Sequence, residues 1–185
     1  IEHRPSKPGV AGSNPAGRAI HDGVGTTEGG ATVTSTRFAG IADARSKIGR
    51  EIGVSDWLAI DQARVGGFAD VTGDHQWIHV DVERARRESP FGGPIAHGYL
   101  TLSLLANFAQ QCIAVDGIRL AVNYGLNRVR FPSPVRVGSK VRARFVLAAV
   151  EDIEGGAQMV WQATVEVEGG DKPACVAEMV TRWYF

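Results

Sequence analysis

From Ala96 to Val115 the chain carries one long helical pattern that is apolar on nearly every side, with Leu100, Leu102, Leu104, Leu105 and Phe108 among its residues. A helix of that kind has to be wrapped by other structure. Everything after it reads as strand. Residues 120–131, 140–150 and 176–184 are strand-like. Between the last two, Met159, Trp161, Ala163, Val165 and Val167 alternate with Gln158, Gln162, Thr164, Glu166 and Glu168, the mark of a half-exposed strand. Gly155-Gly156 and Gly169-Gly170 supply hairpin turns. Pro132 and Pro134 bend the chain or sit on a sheet edge. One buried helix beside four or five antiparallel strands predicts an α+β domain whose sheet curls round the helix.

The elements before that helix are shorter. Residues 42–52 read as an amphipathic helix and 55–60 as a first strand. Residues 61–71 read as a helix with Asp61 as its N-cap, broken at Thr72-Gly73-Asp74. Asp81 caps a further helix over 82–88, and Pro90, Gly92, Gly93 and Pro94 form a rigid turn. Residues 1–35 are rich in Gly, Pro, Ser and Thr without apolar period, and are expected to be a disordered tail on a domain spanning 36–185. No Met precedes Met159, and residues 10–16 match the translation of one frame of a bacterial tRNA T-arm. Two origins for the tail stand side by side: read-through from an adjacent tRNA gene, with the start near Val24 or Val33, and a linker or tag remnant.

Composition narrows the class. Lys+Arg 20 against Asp+Glu 20 gives no charge excess to hold nucleic acid. Cys112 and Cys175 lie in apolar surroundings and read as buried free thiols in a reducing compartment. The longest apolar run is interrupted by Thr101, Ser103 and Asn107, too short and polar to cross a bilayer. No secretory signal is visible, and the expected location is the cytoplasm.

The chemistry concentrates in Phe68–Leu100. Asp74 and His79 lie five residues apart, just before the long helix opened by Ile95-Ala96-His97-Gly98. Adding water across a double bond beside a carbonyl needs a base for water as it attacks Cβ and a proton for Cα. His79 is the natural base, since imidazole titrates near neutrality. Asp74 suits water orientation and proton delivery. The backbone N–H of Gly98 sits at the positive end of a helix, where a thioester oxygen gains stabilisation as enolate charge develops, worth roughly 3 kcal/mol per donor. Each has a plainer reading: Asp74 as a helix cap, His79 and His97 as packed core residues, Gly98 as a close-packing site.

Other groupings are weaker. His75, His79, Asp74 and Asp81 can be drawn as metal ligands, but His75 and His79 share a face only on a helix, which Gly73 and the short loop disfavour; no metal is expected. Ser103 and Cys112 lack a neighbouring base. Arg128, Arg130 and Lys140 are candidates for coenzyme A phosphates, with a solvated strand face as the plainer reading.

The residues Phe68, Ala69, Thr72, Gly73, Asp74, Ile78, His79 and Asp81, followed by Phe91, Gly92, Ile95, Ala96, His97 and Gly98, resemble the double motif of the MaoC-like family of (R)-specific enoyl-CoA hydratases. Val129 to Val135 with Gly138 also looks like that family, and the resemblance covers about Ile52 to Phe185. Two positions depart from it: Gln76 stands for the usual Asn and Trp77 for the usual Pro. With His97 they are candidates to shape the pocket. The resemblance implies a single hotdog domain and a homodimer joined edge to edge. It also implies Asp74/His79 catalysis with the Gly98 N–H on the thioester oxygen. The implied reaction interconverts trans-2-enoyl-CoA and (R)-3-hydroxyacyl-CoA in fatty acid metabolism. No cofactor is implied beyond the coenzyme A of the substrate. The rivals are a hotdog acyl-CoA thioesterase, which has no need of this Asp/His spacing, and a non-catalytic acyl-thioester-binding subunit, which has no need of either residue.

Overall fold

A computed structural model describes residues 25–26 and 32–185. Most of the expected tail lies outside the described residues. Within them, β1 (Gly25–Thr26) pairs antiparallel with β2 (Thr32–Val33). Thr34 then docks on the domain through reciprocal backbone bonds with Val54, 3.0 and 3.1 Å long. Residues 25–26 and 32–35, inside the expected tail, are among the described residues.

Next come β3 (Thr36–Phe38), α1 (Ile41–Ser46), β4 (Glu51–Val54), β5 (Leu58–Ala59), α2 (Gln62–Thr72), α3 (Trp77–Val80) and α4 (Val82–Glu88). They are followed by α5 (Gly98–Cys112), β6 (Ile113–Val115), β7 (Leu120–Arg130), β8 (Lys140–Ile153), β9 (Gly156–Val167) and β10 (Cys175–Tyr184). The main sheet runs β4-β8-β9-β10-β7, all antiparallel, with β5 also paired to β8. In β8, Val141, Ala143, Phe145 and Leu147 are buried while their neighbours are not, and β9 repeats the pattern with Ala157, Met159, Trp161, Ala163 and Val165. That period of two turns one sheet face toward α5. Phe38, Phe108, Phe145, Trp161 and Trp183 fill the space between. This is an α+β hotdog fold, a curled antiparallel sheet round one helix.

Three expectations need correction. The helix expected over 42–52 stops at Ser46, and the first strand of the main sheet is Glu51–Val54 rather than 55–60. A turn over 47–50 separates the two, held by the Gly49 N–H on the Leu147 carbonyl at 2.7 Å. The long helix is shorter than expected. It begins at Gly98 and gives way at Ile113 to β6, which pairs parallel with β3. It is also not wrapped all round: Leu100, Leu104, Leu105, Phe108 and Cys112 are buried, while Tyr99, Ser103, Asn107 and Gln110 are exposed. The sheet covers one side only, because α5 packs on β4, β8, β9 and β10. Cys112 and Cys175 are free and buried. No helix among the described residues is long and apolar enough to cross a membrane.

Candidate active site

Four chain segments converge at the N-terminal end of α5. The first is the end of α2, where Gly73 adopts a left-handed conformation (φ 76°) and its N–H caps the helix on the Ala69 carbonyl at 2.8 Å. A side chain at that φ is strained, so glycine is the residue that lets the chain reverse there. The reversal delivers Asp74, whose exposed carboxylate accepts the Gln76 N–H at 3.4 Å.

The second segment is α3, one turn that sequence periodicity did not reveal. It carries His79 inward, to 6% exposure. The Nδ1–H of His79 donates to the carbonyl of Ile95 at 2.7 Å. A carbonyl only accepts, so Nδ1 holds the proton and the neutral ring presents its Nε2 lone pair. The Ile95 N–H in turn donates to the Ile78 carbonyl at 3.0 Å, so the two segments hold each other. Burial pushes the His79 imidazole below its ordinary pKa, opposed by its bond to Ile95, with His97 lowering it and Asp74 raising it to smaller extents. The ring is thereby kept neutral, as a base requires.

The third segment supplies Gln62, a residue the sequence reading missed. Its side-chain N–H donates to the His79 carbonyl at 2.8 Å. The only signal available was its place at the first position of a helix capped by Asp61, whose carboxylate accepts the Arg64 N–H.

The fourth segment is His97-Gly98. His97 is 2% exposed, and its Nε2–H donates to the main-chain carbonyl of Asp74 at 2.9 Å. Its ring stacks on that of His79, with centroids 3.8 Å apart and planes 28° from parallel, and Phe68 packs against it at 5.0 Å. The Nδ1 of His97 is buried with no hydrogen-bond partner. Gly98 opens α5, where the first N–H groups have no intrahelical partner. A Cβ at Gly98 would come within 3.0 Å of the Phe131 ring. Close packing and an open N–H are therefore both properties of this glycine.

Asp74, His79 and His97 each place a polar atom within 4.8 Å of the other two. This is not the metal cluster drawn from sequence. His75 is exposed and lies 3.8 Å from Asp70, and Asp81 caps α4 by accepting the Arg84 N–H at 2.9 Å. The two rings stack with planes 28° apart, and one nitrogen of each is already committed to a main-chain carbonyl.

The remaining candidates separate cleanly. Trp77 lies under the guanidinium of Arg84 at 4.4 Å. Gln76 is exposed beside Asp74. Ser103 donates back to the Tyr99 carbonyl at 2.7 Å, and burial pushes the Cys112 thiol up to about 12. Neither is a nucleophile. Lys140 pairs with Glu168 at 3.4 Å, Arg130 donates to the Val129 carbonyl at 2.7 Å, and Arg128 lies on the exposed strand β7, as a solvated strand face requires.

The fold is a hotdog scaffold that gathers an acid and two imidazoles at one helix end, and sequence comparison gives its class. Residues 43–169 match the family described as MaoC like domain. The 3-hydroxyacyl-thioester dehydratase Z of Mycobacterium tuberculosis is 54% identical over 147 residues, covering 79% of this chain and 97% of that protein. Nodulation protein N of Rhizobium leguminosarum bv. viciae is 49% identical over 146 residues, covering 76% and 89%. Among solved structures, the (R)-hydratase from A. caviae involved in PHA biosynthesis superposes with a TM-score of 0.55 at 26% identity, over 69% of this chain and 94% of that one. The chain belongs to the MaoC-like dehydratase family. It is a hydro-lyase.

Proposed function

We propose that this protein hydrates trans-2-enoyl-CoA to (R)-3-hydroxyacyl-CoA and catalyses the reverse dehydration, within fatty acid metabolism in the cytoplasm. One observation carries the reading: the His79 Nδ1–H bond to Ile95 leaves Nε2 as a base, on a ring one of whose nitrogens lies within 4.8 Å of an Asp74 carboxylate oxygen, beside the N-terminal amides of α5. In hydration, a water held by Asp74 attacks Cβ while His79 Nε2 takes its proton. The electron pair of the double bond moves to the thioester oxygen, where the Gly98 N–H meets the developing charge. The proton taken by His79 passes from the imidazolium to the Asp74 carboxylate and on to Cα on the same face, which returns both groups to their starting state. Only protons move, so the reaction calls for no cofactor. Both proton-transfer groups acting from one side of the substrate give syn addition, and the (R) configuration follows the likeness to the (R)-hydratase from A. caviae.

A homodimer completes this reading. Among the described residues, strand β7 ends the sheet with no strand on its outer side and exposes Leu120, Val122, Tyr124 and Leu126. An unpaired apolar edge of that length calls for a second edge. The activity is tested by loss of enoyl absorbance with crotonyl-CoA and longer enoyl-CoAs in deuterium oxide. Chiral chromatography and proton coupling constants then report the product. An (S) product or anti addition overturns the arrangement, and thioester cleavage without hydration points to a thioesterase instead.

A further inference from the structure

A cavity of about 520 Å³ is walled by residues of α2, α4, the turn before Ile95 and the loop between β7 and β8. Its wall holds two guanidinium groups, Arg86 and Arg136, and no carboxylate. Arg86 reaches Glu83 at 2.9 Å on the exposed face of its helix, which leaves most of its donors open. The Arg136 guanidinium meets no acceptor among the described residues, and it lies over Gly92, where a Cβ would collide with its terminal nitrogen. Gly93 is buried, and its N–H has no acceptor among the described residues. Ser139 adds an unengaged hydroxyl. The wall is held together by the Val137 N–H on the Pro94 carbonyl at 3.0 Å and the Gly138 N–H on the Ile60 carbonyl at 2.7 Å. One wall atom has the opposite need. Gln62 spends its amide N–H on the His79 carbonyl at 2.8 Å, and a carbonyl only accepts, so the amide orientation is fixed. Its Oε1 is then a buried acceptor without a donor. Several donors and one acceptor around one space select an anion that carries a proton.

We infer that this cavity binds hydrogenphosphate, separately from the substrate, and that its occupancy is felt at His79. The guanidinium groups of Arg86 and Arg136, the Gly93 N–H and the Ser139 hydroxyl donate to phosphate oxygens. The P–O–H group donates to Gln62 Oε1. Phosphate carries such a proton at neutral pH. Sulfate, of nearly the same shape, carries none and would turn a lone pair toward that oxygen. The cavity is larger than one ion, and water fills the remainder. Two links lead from it to His79. The Gln62 amide that would take the phosphate proton also holds the His79 carbonyl. Pro94, whose carbonyl closes the wall, precedes Ile95, whose carbonyl takes the His79 Nδ1–H at 2.7 Å. A bound phosphate holds the Gln62 amide from its other end and so steadies the main chain that aims the imidazole. The link to turnover rests on the hydratase reading above; the binding site itself does not.

Two measurements test it. Calorimetry with inorganic phosphate and with sulfate, at neutral pH and matched ionic strength, reads the site without chemistry. Phosphate is expected to bind at least about tenfold more tightly than sulfate. Arg136→Gln weakens both anions at least about tenfold. Gln62→Leu removes the acceptor and brings phosphate to the sulfate value; Gln62→Met does the same if the first variant fails to fold. In crotonyl-CoA hydration, saturating phosphate is expected to raise kcat about threefold or more over chloride of equal ionic strength, with KM unchanged. That rise is absent in Arg136→Gln. A lack of phosphate binding overturns the inference, as does equal affinity for the two anions or an unchanged affinity in folded Arg136→Gln. Phosphate that competes with crotonyl-CoA and raises KM alone overturns the separate site. An unchanged kcat at saturating phosphate overturns the link to His79. Selective phosphate binding without hydration of any enoyl-CoA sinks the hydratase reading and leaves the anion site standing.

Discussion

His97 lies face to face with His79, their ring centroids 3.8 Å apart, and each ring is anchored by its outer N–H to a different main-chain carbonyl, Asp74 for one and Ile95 for the other. The pair therefore ties the Asp74 and His79 segments to the start of α5. In the proposed mechanism His97 is a positioning residue. Its bond fixes the backbone of Asp74, and its ring fixes the plane in which His79 presents Nε2.

Removing the chemistry should spare the fold. Asp74→Asn and His79→Ala are each expected to lower hydration turnover by at least about a hundredfold while far-UV circular dichroism stays native. Near-native turnover in either variant removes that residue from the mechanism.

The pH profile follows from the sign of the His79 shift. Burial lowers its pKa from the ordinary 6.5, so the neutral, active base persists below that pH. Hydration kcat/KM is expected to rise with pH through an apparent pKa under 6.5 and then level. The fold favours the neutral ring, so the same group contributes stability above its unfolded pKa that is lost as pH falls toward the folded value. His97→Phe keeps a ring in the stack but removes a neighbour that lowers the His79 pKa and unties Asp74. Its acidic limb should move upward and its turnover fall about tenfold or more. A limb that does not move leaves His97 with a packing role alone.

Gly98 is constrained by contact as well as chemistry. Gly98→Ala places a Cβ 3.0 Å from the Phe131 ring, and overpacking of this kind costs about 1–3 kcal/mol. Phe131→Ala in the same chain should return most of that stability, a coupling that thermal denaturation of the two single variants and the double variant measures. Additive losses mean that the two residues do not press on each other.

Light scattering tests the assembly. A mass near twice 19.8 kDa is expected for the wild type. Two charges placed on the edge strand, Val122→Glu with Tyr124→Glu, should shift it toward monomer. A wild-type monomer at micromolar concentration overturns the edge-to-edge dimer.

How much was legible beforehand depends on length and period. Strands β8 to β10 span 10 to 14 residues, long enough for a period of two to declare itself, and they were read nearly end to end. Helix α3 has four residues, too few for any period, so the element that aims His79 was invisible. The segment 42–52 has helical spacing, yet Gly53 was the better clue. A Cβ there would lie 2.6 Å from the Thr34 carbonyl oxygen and 2.7 Å from Cys112 Cβ, a closeness found where strands and a helix are pressed together. That Asp74 and His79 meet near the start of the long helix was readable because the motif is local in sequence. The amide of Gln62 and the imidazole stack were not, because they join residues 17 or more positions apart through the folded backbone.

The two thiols offer a way to watch the protein breathe. Burial pushes Cys112 up to about 12 and Cys175 up to about 11, so neither supplies thiolate to a labelling reagent at neutral pH while the structure is closed. Any labelling then counts openings. Cys112 sits at the last turn of α5 and Cys175 at the start of β10, so their separate rates distinguish lifting of the helix end from unzipping of the sheet.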